Sequence, residues 1–170
     1  MCVLLLSFDS ASCGYTTKST LPARLKSINV ERFENKISYT SDSTQRNLYI
    51  PLLEVDIQKG IVDRFLFDGN LKIQDADGAD LILKGSLINY DRRALRYTDG
   101  DDVQEYRIYL SVSLTLVDNE TDEVLWEEPN FTGEATYFVT GSLAKSEEAA
   151  IDEAVVDLAR RIVERTVEDW

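Results

Sequence analysis

Hydrophobic residues change their spacing three times along this chain, and each change marks an element. From Lys26 to Phe33 they alternate with polar ones, which puts Ile28 and Val30 on one face of a strand. The stretch Glu34 to Asn47, rich in Ser, Thr, Asn and Asp, reads as a loop. From Pro51 the spacing lengthens: Leu53, Ile57, Ile61 and Phe65 recur every four residues with Val62 and Leu66 beside them. Pro51 near the first turn and Gly69 after Asp68 bound an amphipathic helix. Alternation then returns. Leu81, Leu83 and Leu87 interleave with Ile82, Lys84, Ser86 and Ile88, and apolar residues on both faces suit a strand inside a sheet. The cleanest period of two is Tyr106, Ile108, Leu110, Val112, Leu114, Leu116, opposed by Arg107, Tyr109, Ser111, Ser113 and Thr115. A turn at Asp118 to Asp122 leads into Val124 to Trp126, and beyond Pro129 the series Phe131, Gly133, Ala135, Tyr137, Val139 continues an antiparallel meander. The third change is back to helical spacing. Ser146 fits an N-cap with Glu147 and Glu148 in the first turn, and Ile151, Ala154, Val155, Leu158, Ala159 and Ile162 form one stripe.

This order of elements is α+β: a single mixed, largely antiparallel sheet with two amphipathic helices packed on one face. The other face, carrying Tyr109, Ser111, Ser113 and Thr115, is left to water or to a partner. A chain of 170 residues suits one domain with one core.

Composition narrows the chemistry. The chain carries 31 Asp and Glu against 18 Lys and Arg, a net charge of −13, and residues 1–50 are net +2 while the remainder is −15. No nucleic-acid partner is expected, because no basic face is large enough to displace many counterions from phosphates. There is no His, which removes the commonest general base and metal ligand. No P-loop, glycine-rich dinucleotide turn or Cys/His cluster is present, so neither a catalytic site nor a cofactor or metal site is expected. Asp75, Asp77 and Asp80 lack the remaining spacing of a calcium loop, and Asp77–Gly78 reads instead as a hairpin turn between Ile73 and Leu81. The one dense basic cluster is Arg92, Arg93 and Arg96, within Asn89 to Thr98, with Lys84 and Arg107 nearby. On residue types alone it reads as a solvated loop whose arginines pair with Asp91, Asp99, Asp101 and Asp102.

The N-terminus carries an address. Ser10, Ala11, Ser12 and Cys13, followed by Gly14, close the apolar stretch Val3 to Phe8. Apolar segment, small residues and cysteine are the ending of a bacterial lipoprotein signal, with 1–12 removed and Cys13 lipidated as the first residue of a 13–170 domain. The alternative is an N-terminal strand with a buried thiol. The signal lacks a basic residue ahead of its short apolar run and has Ser10 where Leu is usual; a start codon placed too far downstream explains both. No apolar run reaches the ~18 residues of a spanning helix, so membrane attachment falls to the lipid anchor or a partner.

Several stretches together resemble the LptE group of lipopolysaccharide-assembly lipoproteins, partners of the LptD β-barrel. Cys13, Gly14 and Tyr15 are similar to its start after the signal. Pro22 followed by Ile28 and Val30 is similar to its first strand, and Glu105–Tyr106 to the entry of its long central strand. Ser142 to Arg165 is similar to its C-terminal helix. The resemblance implies a non-enzymatic outer-membrane lipoprotein on the periplasmic side, which plugs an LptD-like barrel, assists its assembly and contacts lipopolysaccharide. It also points to Arg96, supported by Arg92 and Arg93, as the lipopolysaccharide contact, since guanidinium groups bind phosphate in bidentate fashion. The acidic insertion Thr98 to Val103 departs from the family pattern and sits against that cluster. About three acyl chains on Cys13, at ~0.8 kcal/mol per buried methylene, would anchor it permanently. Gly14 and Tyr15, with no Asp next to the cysteine, suit release to the outer membrane. The competing role, an envelope lipoprotein that activates a periplasmic cell-wall enzyme by contact, needs a long tether, and only Thr16 to Pro22 is available.

Overall fold

The computed structural model describes residues 21–37 and 50–168, and shows the α+β arrangement expected. Strand β1 (Ser27–Val30) is followed by the two-residue β2 (Glu34–Asn35), helix α1 (Leu53–Asp68) and a second short strand, β3 (Lys72–Ile73). Three long strands come next, β4 (Leu81–Tyr97), β5 (Val103–Asp118) and β6 (Glu123–Phe138), before helix α2 (Glu147–Val167). They form one open sheet in the order β3-β1-β4-β5-β6, with β2 beside β4. β1 runs parallel to both β3 and β4, β2 runs parallel to β4, and β4, β5 and β6 are antiparallel to one another.

The helices form where the spacing placed them. In α1 the buried residues are Leu53, Ile57, Ile61 and Phe65, the four-residue series itself, while Leu66 is exposed. Gly69 ends it at φ 77°, a conformation that carries no Cβ penalty in glycine, and its N–H bonds to the Phe65 carbonyl at 3.0 Å. In α2 the Ser146 hydroxyl accepts from the Ala149 N–H at 3.1 Å, the N-cap expected of it. Its stripe is buried at Ala154, Val155, Leu158, Ala159 and Ile162 and extends to Val163 and Val167, with Ile151 half-buried at the margin. α2 lies over β5 and β6, and α1 packs against α2, β1 and β3 on the same face. Contact with β6 is close because Gly133 has no side chain: a Cβ there would meet the Leu158 backbone at 2.7 Å.

Three expectations are corrected. The Glu34 to Asn47 stretch does not begin as a loop: Glu34 and Asn35 pair with Ser86 and Leu87 on β4, whose outer side offers unfilled backbone groups there. Residues 38–49 of that stretch lie outside the described residues, as do Cys13 and the 1–12 segment. Asp77–Gly78 is not a hairpin turn. β3 and β4 flank β1 on opposite sides, so the link between them crosses β1 rather than folding back. It closes instead as a turn in which the Gly78 and Ala79 N–H groups bond to the Asp75 carbonyl, while the Asn119 amide donates to the Ala76 and Ala79 carbonyls. Asp80 then fixes the register, its Oδ2 accepting from the Lys26 and Ser27 N–H groups and from the Ser27 hydroxyl at 2.8–3.0 Å. Lastly, Asn89 to Tyr97 is not a loop but the second half of β4, in register with β5 up to Tyr97–Val103.

That half projects. β4 has 17 residues and α2 has 21, so at about 3.3 and 1.5 Å per residue they span roughly 56 and 32 Å. The Glu147 end of α2 sits at Tyr90 and Arg92, and the hairpin beyond Ala94 continues past the helix layer into water.

Candidate functional site at the long hairpin

The tip of the hairpin is a tight polar turn. Thr98 and Asp102 close it through the Thr98 N–H to the Asp102 carbonyl at 2.8 Å, with Asp101 at φ 62°. The Thr98 hydroxyl also accepts from the Gly100 and Asp102 N–H groups. The acidic insertion is thus spent on the turn. Among the described residues none of Asp99, Asp101 and Asp102 forms an ion pair with the arginines, contrary to the loop pairing expected; only Asp91 does, through Arg93.

The three arginines divide between the two faces of the sheet. A bulge at Ile88 puts Tyr90 and Arg92 on the helix-covered side. There Arg92 pairs with Glu147 at the start of α2 and lies over the Tyr106 ring, 4.7 Å from its centroid. Glu147 also accepts from Tyr90 Oη at 2.5 Å and from Tyr137 Oη at 3.4 Å, and the Tyr106 and Tyr137 rings stack at 5.7 Å. One carboxylate at a helix N-terminus therefore ties β4, β6 and α2 together. Burial, reinforced by the Glu147 charge, pushes the Tyr90 and Tyr137 phenols above their ordinary range. Burial works against the Arg92 charge, but the neighbouring Tyr137 and Glu147 outweigh it and leave that guanidinium more firmly protonated.

Arg93 and Arg96 occupy the open face. Arg93 donates from Nε to Asp91 at 2.6 Å and lies over the Tyr109 ring at 5.1 Å. Arg96 is 3.6 Å from Glu105 and 5.8 Å from the Phe138 centroid, with its side chain 60% exposed. Below them is a shallow depression of ≈ 400 Å³ lined by Asn89, Asp91, Arg93, Tyr109, Ser111 and Thr132. Exposed Leu95, Tyr97 and Val139 belong to the same end of the sheet. Guanidinium groups backed by rings and carboxylates beside apolar surface can hold an anionic amphiphile, since each keeps N–H donors free for a phosphate oxygen. Lys84 and Arg107 do not join this set. Lys84 lies farther down the open face among Glu31, Glu34 and Lys36, and Arg107 pairs with Glu134.

Among the described residues no group of three or more His, Cys, Asp or Glu side chains is placed to hold a metal, and no helix is long and apolar enough to cross a membrane. A family model described as lipopolysaccharide-assembly matches residues 25–166. The chain belongs to the LptE family. The match takes in every strand of the sheet, α1 and nearly all of α2, so the hairpin and its arginines fall inside the LptE domain. No curated protein matches the chain by sequence. Among solved structures, protein XCC0632 from Xanthomonas campestris is similar with a TM-score of 0.57 and 11% identity, over 88% of this chain and 90% of its own. The hypothetical protein CT253 from Chlamydia trachomatis has a TM-score of 0.51 at 11% identity, over 84% and 95%. The rare lipoprotein B of Shewanella oneidensis aligns over 81% and 92% at 15% identity, with a TM-score of 0.45. The first two show that the fold of this LptE chain recurs at very low sequence identity.

Proposed function

We propose that this LptE-family chain is an outer-membrane lipoprotein, anchored through acyl groups on Cys13 after removal of 1–12. In this reading it faces the periplasm, plugs and helps assemble an LptD-like β-barrel, and contacts lipopolysaccharide on its way to the surface. The role is non-enzymatic. The observation that carries the contact is the pair Arg93 and Arg96 on the uncovered face of the hairpin, beside exposed Leu95, Tyr97 and Val139. Lipid A presents phosphates next to acyl chains, and that pair of chemistries matches cations beside apolar surface. Arg92 has a different part: held by Glu147, it positions the hairpin on α2.

Mass spectrometry of the membrane-extracted protein with crosslinking tests the anchor and the partner together. Acylated Cys13 and crosslinks to a large barrel protein are expected; an unacylated, partnerless protein whose depletion leaves surface lipopolysaccharide intact overturns the reading. For the contact itself, the double variant Arg93→Ser/Arg96→Ser is expected to weaken lipopolysaccharide binding and flatten its salt dependence. Binding equal to wild type removes these residues from the contact.

A further inference from the structure

Below the arginines, the face of the sheet turned away from the helices has a floor of short polar side chains. β5 presents Tyr109, Ser111, Ser113 and Thr115 there in succession, and the β4 residues opposite them are Asp91, Asn89, Ser86 and Lys84. Ser86, Ser113 and Thr115 are half-buried, and their hydroxyls have no hydrogen-bond partner among the described residues. Ser111 is engaged, with Thr132 at 3.0 Å. Each unengaged hydroxyl can donate and accept. Arg93 and Lys84 mark the ends of this floor. Their partners on β5, Arg107 and Thr115, are eight residues apart, which sets them about 26 Å apart along the strand.

The lower end is a second depression, of ≈ 290 Å³. Phe33 fills the helix side of Gly85, where a Cβ would meet its ring at 2.1 Å, and its neighbours Arg32 and Glu34 line the open side with Lys36 and Lys84. Glu34 is neutralised by Lys36 at 3.0 Å, whereas Arg32 and Lys84 form no ion pair among the described residues. With Glu31 the remaining carboxylate, three basic side chains face two acidic ones in a chain of net charge −13. Acid on this face lies toward β6 instead. Glu127 stands opposite Thr115, and Glu134 opposite Tyr109, where it pairs with Arg107. An anion is therefore drawn to the β4 side, at Arg93 above and at Arg32 and Lys84 below.

We propose that this face, from Arg93 down to Arg32 and Lys84, is a binding track for an anionic oligosaccharide, the saccharide part of the glycolipid whose lipid end meets Arg93 and Arg96. The inference rests on the glycolipid reading and extends it from the lipid to the sugar. Unengaged hydroxyls in a row suit a ligand that is itself covered in hydroxyls, and the floor is too polar to hold acyl chains. The cations of the lower depression suit phosphate or carboxylate groups carried on the sugar. An added peptide strand has no place here, because the backbone groups beneath the floor are used in the β4–β5 ladder and only side chains are offered. The floor continues directly from the depression under Arg93, so a glycolipid held there by its lipid end leads its sugar onto Ser111 and Ser113.

Isothermal titration of the full chain in detergent tests it, with intact lipopolysaccharide, lipid A stripped of its saccharide, and the delipidated saccharide as probes and a neutral dextran oligosaccharide as control. The wild type is expected to bind the delipidated saccharide and not the dextran, and to bind lipopolysaccharide about tenfold more tightly than lipid A. Arg32→Gln/Lys84→Gln is expected to weaken lipopolysaccharide and the delipidated saccharide about fivefold and to leave lipid A unchanged. Ser113→Val puts a branched side chain into the middle of the floor on a strand that tolerates it, and is expected to weaken the same two probes about threefold without lowering the urea midpoint. No binding of the delipidated saccharide, equal binding of dextran, or an equal loss for lipid A overturns the track. Lipid A binding that still responds to Arg93→Ser/Arg96→Ser then leaves the lipid contact standing. Saccharide binding without lipid A binding upholds the track and removes the lipid contact.

Discussion

Adding a single methyl group at Gly133 tests how tightly α2 is seated on the sheet. A Cβ at this position would stand 2.5 Å from Leu158 Cβ and 2.7 Å from both Leu158 N and Cα. The obstacle is backbone, which no rotamer change can move, so Gly133→Ala must push α2 outward and loosen the packing of Leu158 and Ile162 with it. Overpacking of this kind costs about 1–3 kcal/mol, and Ala in place of Gly recovers about 0.5–1 kcal/mol by restricting the unfolded chain. A net loss of roughly 1–2 kcal/mol follows, about 3–6 °C in Tm for a domain of this size. Gly60→Ala is the matched control. Its Cβ would meet Val155 Cγ1 at 2.8 Å and nothing else closer than 3.9 Å, so only the end of one side chain has to give. Helix propensity returns about 1 kcal/mol there, which leaves the variant within about 0.5 kcal/mol of wild type. Urea and thermal unfolding followed by circular dichroism measure both. If Gly133→Ala is as stable as wild type, or Gly60→Ala is the more damaging, α2 does not rest on Gly133 as described.

Acid stability follows from two carboxylates. Asp118 is held below its ordinary value of 3.8 by the hydrogen bond from Arg24, and Asp80 by the Lys26 N–H and the Ser27 hydroxyl. Both pKa values are depressed on folding, so their stabilisation is complete above that ordinary value and is lost as pH falls through the folded values beneath it. Urea midpoints taken downward from about pH 5 should show this loss, and Asp118→Asn should flatten it. At the other extreme, the raised Tyr90 and Tyr137 phenols stabilise the fold fully below 10.0 and progressively less as pH rises beyond it. Tyr90→Phe should remove part of the alkaline loss in unfolding experiments while lowering stability at neutral pH, because the bond to Glu147 goes with the hydroxyl. On the outer edge of β6 the Glu134 N–H donates to Asp157 at 3.1 Å and Arg161 donates to the Thr132 carbonyl at 2.6 Å, so Asp157→Ala/Arg161→Ala should uncover that edge and raise self-association in sedimentation velocity; a variant that stays as monodisperse as wild type removes the edge-covering role.

The sequence was most readable where one face of an element meets the core. The four-residue series of α1, the Ser146 cap and the alternation of β5 all report a boundary between water and apolar interior, and each is where it was expected. The second half of β4 escaped because beyond Tyr90 water touches both its faces, and a strand without a buried face needs no alternation. Its length comes from pairing with β5, which is a property of two segments. The same limit hid the Glu147 clamp. Arg92 and Glu147 are 55 positions apart, and an acidic residue after an N-cap already has a sufficient local explanation. Asp77–Gly78 misled in the opposite sense: its dipeptide fits a hairpin, yet β1 lies between the two strands it joins. The arginine cluster was visible as composition, but which face each arginine takes depends on the bulges at Ile88 and Leu95, the second of which puts Arg96 beside Arg93, and neither carries a composition signal of its own.

The place of β1 between β3 and β4 has a consequence for timing. A chain that emerges N-terminus first delivers β1 before either neighbour exists, and the Ser27 to Asp80 clamp that sets its register joins residues 53 positions apart. The hairpins β4–β5 and β5–β6 close short loops and can form early, whereas β1 must wait and then thread into a gap. β1 is therefore expected to join the sheet after the β4–β5–β6 meander, and until it does the unpaired backbone edges of β3 and β4 are open to chaperones, or to aggregation if none arrives.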